Sequence, residues 1–183
     1  VGAYTAIMGK NLGNFDTSDF PFSYINVDND RSFLTPGMNL FTVGTRRDSE
    51  KWRKRDKRKD PDVLDLIQFD LLSPYIMQKV LRSLDILESL YENTSRKQES
   101  VFHKGIRIKR LMLKSTRKFY QTALHMFVGD QVAGKLELLK DSPSLEEIRK
   151  KLEPSRREIP DTWMDLAGMI ASDRNIHRLM ADV

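Results

Sequence analysis

What this chain can fold into is set by a change of periodicity near residue 60. After Ser73, the residues Met77, Val80, Leu81, Leu84, Leu87 and Tyr91 recur at helical spacing, while Lys79, Arg82, Asp85 and Glu88 fill the opposite side. That pattern belongs to a helix with one buried face. Ser73-Pro74 supplies an N-cap and a proline at the first helical position, so the spacing predicts a helix over residues 74–92. The first 44 residues have no such period. There Gly2, Gly9, Gly13, Pro21, Pro36, Gly37 and Gly44 punctuate short runs, Phe22–Val27 and Asn39–Val43, that are rich in β-branched and aromatic residues. Val27-Asp-Asn-Asp-Arg31 sits between these two runs and reads as a hairpin turn, since Asn and Asp tolerate left-handed backbone. The fold class is α+β: a β-rich segment over residues 1–60, with a basic loop at 45–60, then a mostly α-helical domain over 61–183.

Within the helical part, Pro61 is placed to open a helix through Val63–Phe69, and residues 93–100 are a polar connector. A second long helix is predicted from Ile106 to Phe127, with Ile108, Met112, Ser115, Phe119, Ala123 and Met126 inward and Arg107, Arg110, Lys114, Arg117 and Lys118 outward. Gly129 is its expected stop, with Val132–Leu139 resuming helix. Ser144-Leu-Glu-Glu147 is a capping box. Pro160-Asp161 is read as opening a helix through Trp163–Ile170, and Ser172 or Asp173 caps a last helix toward Met180. The two long apolar stripes are expected to pack on each other.

Charge is concentrated in one window. Residues 45–60 hold nine Lys/Arg and four Asp/Glu, a net +5, which equals the formal net charge of the whole chain. A positive patch on a nearly neutral body suits a specific anionic partner better than a generally sticky protein. Arg binds phosphate or carboxylate bidentately and Lys adds a compact charge, so Arg46, Arg47, Lys51, Arg55 and Arg58 are the candidate phosphate-binding residues. Trp52 is placed to stack on a ring, and Asp48 or Asp56 to orient an arginine or a hydroxyl. Against this stands a plain alternative: Asp48, Glu50, Asp56 and Asp60 alternate with the bases, as in a solvated, internally paired surface segment. Nucleic acid ranks below a small ligand, because the remainder is nearly neutral and no nucleic-acid-binding signature is present.

Other motifs carry less. Met8-Gly-Lys-Asn-Leu-Gly13 superficially resembles a phosphate loop but lacks its spacing. His103, His125 and His177 are far apart with no partner at metal-ligand spacing, so no metal site is expected of them. Asp16, Asp19, Asp28 and Asp30 suit turn chemistry as well as a divalent cation. The chain contains no cysteine, which removes disulfides and thiolate chemistry and fits a reducing compartment. No apolar run approaches the ~20 residues that cross a bilayer, and the start Val1-Gly-Ala-Tyr-Thr-Ala lacks the features of a signal peptide. The expectation is a cytoplasmic fragment of a longer chain.

Three segments resemble a family of large bacterial proteins, many from Bacteroidetes and spirochaetes, whose activity is not established. They are Asp19–Ile25, the stretch from Pro36-Gly-Met-Asn-Leu40 through Lys51-Trp52 and Arg55–Lys59, and Trp163–Ile170. The resemblance implies hexapeptide repeats coiling into a left-handed β-helix ahead of this region, the scaffold of many acyltransferases and of sugar-nucleotidyltransferase tails. Val1–Ile7 is then similar to one last coil of that helix, and a trimer is implied, since such helices are commonly trimeric. The functional expectation is a ligand-binding module of a transferase-like protein, its basic loop holding a phosphorylated sugar, nucleotide or cofactor. The rival is a non-catalytic oligomerisation or interaction module whose loop docks an acidic protein surface.

Overall fold

A computed structural model of the chain describes residues 1–59, 70–139, 143–153, 162–166 and 169–181. The helix expected at Val63–Phe69 lies outside the described residues. Alternation in Tyr24–Asp28 (β2) and Arg31–Thr35 (β3) closes a hairpin whose two turn residues, Asn29 and Asp30, take φ of 49° and 57°. Paired left-handed residues give the turn that matches the twist of the flanking strands. Ala6–Ile7 (β1) lies parallel beside β2.

The chain then departs from the expected strand at Asn39–Val43. Met38–Phe41 is a single 3-10 turn, and Val43–Arg55 (α1) is helix, so the basic window is largely helical and not a loop. Pro74–Asn93 (α2) starts as expected, with Ser73 Oγ accepting from Ile76 N–H at 3.4 Å. Its buried face is Ile76, Met77, Val80, Ser83 and Leu87, with Leu84 partly buried; Leu81 is turned out to solvent.

The predicted helix over 106–127 begins instead with a second hairpin. Ser100–His103 (β4) and Ile106–Lys109 (β5) pair antiparallel across Lys104 and Gly105, whose φ values are 43° and 89°. Ile-Arg-Ile-Lys alternates with period two, and strand pairing overrides the helical spacing of the longer window. Helix follows as Arg110–Ser115 (α3) and Arg117–Leu136 (α4). The buried stripe is Leu113, Thr116, Tyr120 and Ala123, out of phase with the expected Met112, Ser115 and Phe119. Gly129 does not stop α4, because an interior glycine weakens a helix by only about 1 kcal/mol. β5 joins β3 in parallel, Phe33 opposite Arg107, which gives a five-stranded sheet in the order β1-β2-β3-β5-β4.

The capping box at Ser144 opens Leu145–Leu152 (α5) as expected, and Ser144 and Glu147 satisfy each other's backbone N–H. The helix expected at Trp163–Ile170 is replaced by strands Trp163–Leu166 (β6) and Met169–Ser172 (β7), paired antiparallel with Leu166 opposite Met169. The chain closes with Asp173–Ala181 (α6), where Ser172 Oγ accepts from Asn175 N–H. The fold is α+β, a β-rich N-terminal region followed by helices. One core runs across the residue 60/61 division drawn from composition: Phe20, Phe22, Ile25 and Leu34 meet Val80 and Leu87 of α2, Ile106 and Ile108 of β5, and Tyr120 and Ala123 of α4.

A buried carboxylate ties these parts together. The Asp19 side chain is 7% exposed and lies 3.0 Å from Lys104, 3.3 Å from Arg82 and 3.5 Å from Lys79. Ser83 donates to its backbone carbonyl. Burial pushes the Asp19 carboxyl up, but hydrogen bonds from Lys104 and Arg82 and the nearby ammonium charges outweigh it, so the net shift is downward. Asp16, capping Ser18 and 3.4 Å from Lys104, is held down at about 2, chiefly by the Ser18 backbone N–H. Both acids thus serve a structural ion-pair cluster with lysine and arginine.

Candidate functional site

α1 decides where the basic residues point. A helix turns 100° per residue, so a run that is uniformly basic in sequence is dealt around an axis. Thr45, Asp48 and Ser49 fall on one side and line a cavity of about 750 Å³ between the N-terminal segment, α1 and the start of α2. Arg46, Arg47 and Glu50 fall on another and line a neighbouring groove of about 1010 Å³ toward Met126 and Asp130 of α4. Thr42, Ser49 and Asp70 line both spaces.

The cavity wall is rich in hydroxyls: Tyr4, Thr5, Tyr24, Thr42, Thr45, Ser49, Ser73 and Tyr75. Asn39 adds an amide, and Asp48 and Asp70 add carboxylates. The wall is locally bonded. Asn39 Nδ2 donates to the Tyr4 carbonyl at 2.7 Å, and Thr42 Oγ1 lies 2.7 Å from Asn39 Oδ1 and 3.0 Å from Thr45 Oγ1. Burial pushes the Tyr4 phenol up, partly offset by a hydrogen bond with Ser49, so it stays a neutral hydroxyl. Thr5 Oγ1 is buried without a hydrogen-bond partner among the described residues.

The predicted anion-binding residues do not gather around one point. Arg47, Lys51 and Arg55 follow one another at every fourth position of α1, a span of about 12 Å at the helical rise, too long to clamp a single phosphate. Several are already engaged: Arg46 Nε lies 3.0 Å from Glu50, Arg47 Nε lies 3.4 Å from Asp48, and Arg58 makes a two-pronged contact with Asp56 at 2.8 and 2.5 Å. The Arg58 hydrogen bonds hold the Asp56 carboxyl down at about 2. Asp48 and Asp56, the acids expected to orient an arginine or a hydroxyl, each contact a neighbouring arginine, Arg47 and Arg58. The Trp52 side chain lies outside the described residues. The internally paired alternative therefore describes Arg46, Arg47 and Arg58.

The histidines stay apart. His103 packs edge-on against Phe20, its Nε2 buried and without a hydrogen-bond partner among the described residues, and burial lowers its pKa, so it is neutral. His177 pairs with Asp173 at 3.4 Å on an exposed helix face, and His125 is exposed. Of the acids read as cation ligands, Asp30 sits in the hairpin turn and Asp28 lies 3.9 Å from Lys109. Sequence reasoning missed the cavity itself. Its wall is assembled from single small polar residues of four separate stretches, and no local spacing announces them.

Residues 1–91 match a protein family described as a domain of unknown function, DUF4954. No curated protein and no solved structure matches the chain. The matched stretch ends within α2, yet β4, β5 and α4, which complete the sheet and the core, lie beyond it. Among the described residues, no helix is long and apolar enough to cross a membrane.

Proposed function

We propose that the chain is a binding module for a small phosphorylated polyol, a sugar phosphate or a nucleotide sugar. The supporting observation is the hydroxyl- and carboxylate-lined cavity of about 750 Å³ that abuts a groove carrying Arg46 and Arg47. Hydroxyls, one amide and two carboxylates are the groups that exchange hydrogen bonds with sugar hydroxyls, and the tyrosine rings offer apolar faces to a sugar ring. The phosphate meets Arg46 and Arg47 at the rim, each of which exchanges an exposed carboxylate partner for it. In this reading the module belongs to a cytoplasmic, trimeric hexapeptide-repeat protein with transferase-like chemistry elsewhere on the chain.

The exposed ion pairs of α1 favour a second reading, in which that face docks an acidic surface of a neighbouring subunit. Thermal denaturation against a panel of sugar phosphates, nucleotide sugars and coenzyme A separates the two. A ligand at a hundredfold excess over its Kd adds about 2.7 kcal/mol of stability, and Arg47→Ala should remove that gain without changing the mass by light scattering. A flat panel, together with a change of mass in Arg47→Ala, establishes docking instead.

A further inference from the structure

A second basic region is invisible as a run in the sequence. Arg31 comes from the end of the β2–β3 turn, Arg96 and Lys97 from the connector after α2, and Lys109 and Arg110 from the junction of β5 with α3. Together they line a groove of about 560 Å³, with Asp28 and Glu99 as the two acids of its wall. Five cations against two carboxylates leave a local net +3.

Like charges drawn from three segments repel one another unless something negative lies between them. Elsewhere this fold supplies that counter-charge itself, as at Asp19. Here Arg31, Arg96 and Lys97 make no ion pair among the described residues, and Lys109 has only a contact of 3.9 Å to Asp28 on the exposed surface. The frame around them is nonetheless fixed. The Arg110 guanidinium lies over the Tyr91 ring at 5.0 Å, and its Nε donates to the Thr94 carbonyl at 3.5 Å. Lys109 lies over the Phe33 ring at 5.4 Å. Arg110 N–H donates to the Glu99 carbonyl at 2.8 Å, joining the connector to α3, and the connector turns on itself through Ser95 and Gln98. Lys109 and Arg110 are thus held before any ligand arrives, which lowers the ordering penalty of binding.

We propose that this groove is an anion site for a compact polyanion, a diphosphate or a diphosphate ester. A charge of about −3 matches the local excess, and a groove of this volume holds a molecule of nucleotide size. Guanidinium groups bind phosphate oxygens in pairs, and the two wall carboxylates accept from ligand hydroxyls. Those same carboxylates repel the unbroken phosphate chain of a nucleic acid strand.

The test is isothermal titration of the full chain with inorganic pyrophosphate at low and moderate salt. The expected result is one site per chain, weakened at least tenfold in Arg96→Ala/Lys97→Ala and in Arg31→Ala. All three substituted side chains are exposed and absent from the core, so the variants should fold, which circular dichroism verifies. Absence of pyrophosphate binding at millimolar concentration, or binding unaffected in both groove variants, overturns the proposal. A single-stranded oligonucleotide bound more tightly than pyrophosphate, with the same variants weakening it, overturns the small-polyanion assignment. Loss of binding in Arg47→Ala alone would move the anion to the α1 rim and leave the sugar-phosphate reading standing.

Discussion

The two basic regions of the molecule are built in opposite ways. On α1 the cations are consecutive in sequence, yet the helix spreads them around its axis and along about 12 Å, and carboxylates one or four residues away neutralise Arg46 and Arg47. In the groove of Arg31, Arg96, Lys97, Lys109 and Arg110 the cations are dispersed through 80 positions and the fold gathers them in one place. Charge density along a chain is therefore a poor guide to charge density in space. A secondary structure that rotates side chains dilutes a run, and turns brought together by a sheet concentrate isolated charges.

The largest expected effect concerns the hairpin that delivers Lys109 and Arg110. Gly105 has φ of +89°, and a Cβ there would meet the Asn14 carbonyl oxygen at 2.2 Å. Gly105→Ala should lower unfolding stability by about 3 kcal/mol or more in urea titration, through backbone strain and the clash together. An unchanged midpoint would mean that the groove does not depend on this turn. Next is Asp19→Asn, expected to lose about 2–3 kcal/mol, less than the roughly 3–5 of a fully buried broken pair because Arg82 and Lys104 keep water on one side. A loss below about 1 kcal/mol would place Asp19 among the surface pairs and erase its difference from α1.

Acid titration reads the same cluster without mutation. The folded Asp16 and Asp19 carboxyls lie below their ordinary 3.8, so their contribution is complete above that value and is lost as pH falls through the interval below it, which for Asp16 ends near 2. The thermal midpoint should drop in that interval, and the drop should be smaller in Asp19→Asn. The smallest effect is on α1: Arg46→Gln removes an ion pair whose partners are 75% and 66% exposed, and should change stability by under about 0.5 kcal/mol. A change above about 1 kcal/mol would show that the α1 pairs do more than neutralise one another.

Where the sequence was legible, a local rule and the tertiary structure agreed. Ser73-Pro74, the Asn29-Asp30 turn and the Ser144 capping box each satisfy their own backbone, and each stands where spacing predicts. The misreadings have tertiary causes. Ile106–Lys109 carries both a two-residue and a helical period, and only the neighbouring β3 decides between them. The α4 stripe slipped because Tyr120, whose hydroxyl donates to the Pro21 carbonyl, takes the inward position that the apolar count had given to Phe119. At the candidate site, the acids of α1 pointed correctly to internal pairing. The hydroxyl cavity and the second groove arise from residues far apart in sequence, so no window contains them.

The parallel contact of Phe33 with Arg107 has a further consequence, in time. All of α1 and α2 lies between these two residues, so the central sheet cannot close until a loop of more than seventy residues has been drawn in. Hairpins β2–β3 and β4–β5 and helix α2 are local and can form early, whereas their union awaits the docking of α2. Mutations at that seam should slow refolding more than they speed unfolding if it closes in the transition state, and do the reverse if it closes afterwards.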